Sequence, residues 1–223
     1  MKIDKRLGFR YRYKSGKLMP VDDPKLDAVW ETCGKHQKPV VIHVSDPAAF
    51  FTPLDRFNER WHELNEHPNW LFFGDKFPKR EDILAQLHRV IERHPKTTFV
   101  NTHFGNNAED LAAVAEKLDK YPNMLVDFDA RISELGRAPY SARRFFVKYQ
   151  DRLLFGKDAF QPDEYPYFWR TFESGDEYFD YYRDYHAFWK LYGLASPDPV
   201  LRKLYYQNAL KIVPSLPRLG FPN

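Results

Sequence analysis

Four short apolar runs along this chain each end in an ionisable side chain: VVIHV at His43, TTFVNTH at His103, MLVDFDA at Asp127 and Asp129, and RLLFGKDA at Asp158. A continuous apolar run of this length reads as a strand buried on both faces, which is the habit of parallel sheets. Segments of helical period separate the runs. Residues 24–37 carry Leu26, Val29, Trp30 and Cys33 at three- and four-residue spacings, and residues 79–94 carry Ile83, Leu84, Leu87, Val90 and Ile91 before Pro95 stops them. Residues 107–121 repeat the pattern, as do residues 133–150, interrupted near their start by Gly136 and Pro139. Residues 198–213 form a closing helix that Pro214 ends. KIDK at the start reads as a fifth strand. This rhythm predicts an α/β fold with helical crossovers. On pattern alone, an open sheet and part of a (β/α)8 barrel both fit, since a closed barrel needs eight strands and typically about 250 residues.

The composition removes several function classes. The chain has 223 residues, and its single cysteine, Cys33, excludes a disulfide framework or a cysteine-based zinc cluster. A net charge of +3 is too small to argue for nucleic acid. No apolar run reaches the roughly 18 residues of a membrane span, and no secretory signal follows the basic start, so no membrane partner and a cytoplasmic location are expected. The aromatic residues concentrate in two stretches, residues 46–78 and 160–192. They read either as core or as long βα insertions wrapping one face of a single domain spanning residues 1–223.

In an all-parallel sheet the C-terminal strand ends share one face, where ligands bind. His43, His103 and Asp158 would meet there, and imidazole with carboxylate suits a divalent ion such as zinc, which activates a bound water. Arg131, just past the third of these runs, could hold a substrate carboxylate through a bidentate contact or pair with Asp127 or Asp129. Asp55, Asn58, Glu59 and Arg60 in DRFNER read as a salt-bridged turn or a pocket wall. His36, His62, His67, His88, His94 and His186 read as structural or solvent-facing.

The strand ends VVIHV, TFVNTHFGN and LLFGKD, with the closing NALKIVP, resemble the amidohydrolase superfamily, in particular its branch of aminocarboxymuconate semialdehyde decarboxylase-like enzymes. The segment KLMPVDDPKLDAVWETCGKHQKPVVIHVSDPAAFF is similar to the lead into that family's fifth barrel strand. The resemblance implies an incomplete (β/α)8 TIM barrel, about its last five strands with their helices. It implies that His43 and Asp158 bind one divalent metal ion, zinc being the expected one. It also implies that His103 positions or protonates the substrate, and that Asp158 is the catalytic base for water. The implied activity is metal-dependent hydrolysis of a small amide, lactone or ester. The alternatives are nonoxidative decarboxylation of a small aromatic or unsaturated acid, or an inactive remnant or binding module of the same fold. Family members begin with a first strand ending in His-x-His, a motif that occurs nowhere in this chain. The expected consequence is an incomplete metal site and a sheet with open edges and apolar side chains facing water. Such a unit is expected to self-associate or to pair with the other part of the barrel.

Overall fold

The computed structural model describes residues 1–222. Five parallel strands lie side by side in chain order: β1 (Lys2–Ile3), β2 (Val40–Ile42), β3 (Phe99–Asn101), β4 (Met124–Asp127) and β5 (Leu153–Leu154). Ile42 stands opposite Asn101, and Asn101 opposite Val126, so the polar residue after each apolar run reaches the same edge of the sheet. The edge strands β1 and β5 do not pair, which leaves the barrel partial.

The crossovers are helices where the periodicity places them, trimmed at their ends. The first is Asp27–Lys35, entered through a 3-10 turn at Pro24–Leu26 that the Asp23 side chain caps. The second is Arg80–Arg93. The third is Leu111–Lys120 rather than residues 107–121, because the Asp110 side chain accepts from the Ala113 amide and fixes the helix start. Residues 133–150 form two helices, Ile132–Arg137 and Pro139–Lys148, since Pro139 cannot donate to the preceding turn. No helix among the described residues is long and apolar enough to cross a membrane.

Period-two alternation divides the strand side chains. Val40, Ile42, Phe99, Met124, Val126 and Leu153 join the main core with the helices. Val100, Leu125 and Leu154 point the other way, into what would be the barrel interior. They do not meet water, contrary to the expectation from the missing strands. Each is under a tenth exposed, because Ala209 and Ile212 of the closing helix pack over them.

That helix runs Asp198–Arg202, widens into a π segment at Lys203–Gln207, and continues as Asn208–Ile212. The Leu204 carbonyl accepts the Phe155 amide just past β5, and the Asn208 Nδ2 donates to the Gln150 and Leu153 carbonyls at 2.7 and 2.8 Å. A helix therefore covers one open strand edge.

The aromatic stretches differ in role. Residues 46–78 build their own cluster around Phe50, Leu64 and Phe72. The second stretch contains helix Tyr165–Glu173, whose Phe168 and Phe172 enter the main core. Replacing Asn208 with Ala strands two carbonyls at the β5 edge and is expected to cost about 1–3 kcal/mol. Urea unfolding measures this, and an unchanged midpoint would show that the closing helix is not what seals that edge.

Candidate functional site

The four sequence-expected residues line one cavity of about 150 Å³ at the C-terminal ends of the strands: His43 after β2, His103 after β3, Arg131 after β4 and Asp158 after β5. Lys5, Asp46, Phe50, Glu63, Trp70, Arg183 and His186 complete its wall. A larger groove of about 540 Å³ runs beside helix Pro139–Lys148 and includes none of the four.

A run of left-handed backbone delivers His103. His103, Phe104, Gly105 and Asn106 have φ of 55°, 58°, 67° and 57°. Left-handed conformation costs a non-glycine residue about 1–2 kcal/mol, so the surroundings must hold the turn in place. They do so from β4: the Asp127 Oδ1 accepts the His103 amide at 3.0 Å, and the His103 Nδ1 donates to the Asp129 carbonyl at 2.8 Å. A carbonyl only accepts, so the proton is on Nδ1 and Nε2 keeps its lone pair. That Nε2 lies 3.7 Å from the Asp158 Oδ1. Burial first, and then the charge of Arg131, push the His103 pKa down to about 3, so the ring is neutral at physiological pH.

The His43 ring meets His103 edge-on, with centroids 4.3 Å apart. Its Nε2 donates to the Ser45 carbonyl at 2.7 Å. Burial, aided by His103 and Lys5, holds its pKa well below the ordinary value. Asp158 is half exposed and belongs to the loop that Gly156 brings in. A Cβ at Gly156 would stand 2.4 Å from the Asp129 Oδ1, so only glycine allows this approach. Burial and the neighbouring Asp158 raise Asp129 to about 6, while burial and Asp129 raise Asp127.

Arg131 is buried at the start of helix Ile132–Arg137 and donates to the Ala130 carbonyl at 2.8 Å. Neither Asp127 nor Asp129 pairs with it. Among the described residues, no carboxylate lies within 4.0 Å of its guanidinium, whereas Lys5 pairs with Asp46 at 2.9 Å and Arg183 with Glu164 at 3.1 Å. Of DRFNER, Arg60 is fully buried against Glu63 and Glu134, and Glu59 pairs with Arg137, so the salt-bridged reading describes this segment.

A divalent ion needs three or more converging donors. Among the described residues, no three His, Cys, Asp or Glu are arranged to hold one. The His43 Nε2 is committed to a carbonyl, which leaves the His103 Nε2 facing Asp158. The residues of this chain do not by themselves fit the metal that the resemblance implies.

The neutral histidine carries a pH signature. The His103 pKa falls from an ordinary 6.5 to about 3 on folding, so the unfolded chain binds the extra proton between these values. The stability it contributes is complete above about pH 6.5 and is lost as pH falls toward 3. Asp129, raised from 3.8 to about 6, acts in the opposite sense over part of that range. His103→Gln is expected to flatten the acid limb of stability measured by urea unfolding at stepped pH. An acid limb as steep as in the parent chain would contradict the neutral, buried imidazole.

The chain is similar in fold to several solved structures. An uncharacterized TIM-barrel protein from Bordetella bronchiseptica matches with a TM-score of 0.55 at 16% identity, over 96% of this chain and 57% of that one. A 2,6-dihydroxybenzoate decarboxylase from Rhizobium matches with a TM-score of 0.50 at 16% identity, over 95% of this chain and 61% of that one. A dihydroxybenzoic acid decarboxylase from Polaromonas sp. JS666, with bound manganese and the inhibitor 2-nitroresorcinol, matches with a TM-score of 0.51 at 15% identity, over 95% and 59%. The chain thus spans about three-fifths of the length of these structures. No curated protein sequence matches it significantly. The sequence model of the amidohydrolase family matches residues 6–214, nearly the whole chain, and with the five parallel strands and their shared polar edge this places the protein in the amidohydrolase family.

Proposed function

We propose that this chain carries the substrate-binding and proton-transfer side of a nonoxidative decarboxylase acting on a small aromatic carboxylic acid. The observation that carries this reading is Arg131, a buried guanidinium on the cavity wall with no carboxylate partner among the described residues. Its charge reaches Asp46, Glu63 and Asp129 only at a distance, and a buried guanidinium with no carboxylate in contact favours an anionic ligand that makes one. Arginine holds a carboxylate through two parallel N–H···O bonds. Phe50 and Trp70 supply flat apolar walls of the same cavity, their rings stacked 6.3 Å apart. An amide, lactone or ester is neutral and gives Arg131 no counter-charge, which favours the decarboxylase over the hydrolase. The fold neighbours named as dihydroxybenzoate decarboxylases act on acids of this size and support the same choice.

The residues divide the work as follows. Arg131 binds and orients the carboxylate. Phe50 and Trp70 exclude water from the ring. Asp158, half exposed, takes a proton from solvent, is oriented by the His103 Nε2 lone pair 3.7 Å away, and passes the proton to the carbon that loses its carboxylate. The bond from that carbon to the carboxylate breaks, its electron pair stays on the carbon and takes the proton, and carbon dioxide leaves. The neutral state of His103 suits this role, since a permanently charged imidazolium would repel Arg131. His43 packs against His103 and holds its ring.

Arg131→Gln is expected to weaken benzoate binding at least tenfold, the scale of one charge-assisted hydrogen bond. Titration calorimetry of the chain with benzoate and with benzamide as the neutral control reads this. Equal affinity for the two ligands, or no change in the variant, would reject the carboxylate site.

A further inference from the structure

His186 lies in the second aromatic stretch, outside every strand end, yet it lines the same cavity. It is buried at 3% exposure, and its Nε2 has no hydrogen-bond partner among the described residues. A buried polar atom left unpaired costs about 1–3 kcal/mol, so one beside a ligand cavity points to a ligand atom that completes it. The other ring nitrogen, Nδ1, faces the Tyr181 hydroxyl at 3.4 Å.

The backbone that carries the ring is fixed by charge. The Arg60 guanidinium donates to the His186 carbonyl at 2.7 Å and also pairs with Glu63 and Glu134. This buried knot joins the first aromatic stretch, helix Ile132–Arg137 and the second aromatic stretch. It is the physical reason that a residue on an irregular segment can hold one orientation at the site.

We propose that His186 is a specificity-determining residue whose Nε2 pairs with a hydroxyl group on the substrate ring. A hydroxyl is the group that fits, because it both donates and accepts. If Tyr181 donates to Nδ1, Nε2 carries the proton and the substrate oxygen accepts it. If Nδ1 donates to Tyr181, Nε2 accepts the substrate hydroxyl proton. Burial and the nearby charges of Arg60 and Arg131 keep the ring neutral, which leaves one free donor or acceptor rather than a second cation. The assignment rests on the carboxylate reading of the cavity, since Arg131 provides the first anchor and His186 the second.

The experiment compares benzoate with 2-, 3- and 4-hydroxybenzoate by titration calorimetry on the full chain, its His186→Phe and His186→Gln variants, and Arg131→Gln. The parent chain is expected to bind at least one hydroxybenzoate roughly tenfold tighter than benzoate, the scale of one net hydrogen bond. His186→Phe should erase that preference while benzoate affinity stays the same. His186→Gln, which keeps a donor and an acceptor, should retain part of it. Benzoate binding in the Phe variant reports that the site is folded, and the ratio of affinities is a readout that a merely structural role would not move. A hydroxyl preference that survives in His186→Phe, or no preference in the parent chain, overturns the His186 assignment and leaves the Arg131 site standing. Failure of all four acids to bind the parent chain overturns both.

Discussion

One hydrogen bond joins the strand ends into a site: the His103 Nδ1 donates to the Asp129 carbonyl. It links β3 to β4 across their C-terminal ends, fixes the tautomer of the imidazole, and turns its lone pair toward the loop after β5. The Asp127 carboxylate accepts the His103 amide and steadies the left-handed turn that precedes this contact. These two bonds help to compensate the cost of a run of left-handed residues, together with the turn's own amide bonds and the Arg80 guanidinium on the Asn106 carbonyl. That placement sets the His103 ring beside His43 and turns it toward Asp158, which the Gly156 loop brings in.

The second constraint is the closure of a sheet that is not a closed barrel. Parallel strands bury both faces, and a partial barrel leaves one face without the opposing strands. Here Ala209 and Ile212 stand in for them, and Asn208 with the Leu204 carbonyl occupies hydrogen-bonding groups at β5. The same helix therefore supplies apolar cover and polar satisfaction, which is what an edge strand needs. The site lies at the C-terminal ends of the strands, and none of Leu204, Asn208, Ala209 and Ile212 lines it, so the covering helix does not obstruct it.

The sequence made much of this legible, for identifiable reasons. Continuous apolar runs marked four strands because both faces are buried, and His43, His103 and Asp158 were visible because they interrupt or end those runs. The turn after β3 also left a trace: Gly105 and Asn106 tolerate left-handed backbone, so HFGN could have been read as a strained turn. Arg131 was visible as a residue beside two acids, but its lack of a partner was not, since only the folded chain shows that Asp127 turns to His103 instead. Glu63 and His186 had no periodic signal at all. They reach the cavity through the Arg60 knot, a contact between residues 126 positions apart that no local pattern encodes. The covering of the inner face was likewise missed, because the closing helix looked like any other crossover.

The central claim is that Arg131 waits for a carboxylate in the cavity that His103 and Asp158 share. A crystal structure of the chain with 4-bromobenzoate tests it most directly, since the bromine marks the ring unambiguously. The account predicts the carboxylate on the Arg131 guanidinium, with the ring against Phe50 or Trp70. Bromine located only in the larger groove beside helix Pro139–Lys148, with Arg131 untouched, would contradict it.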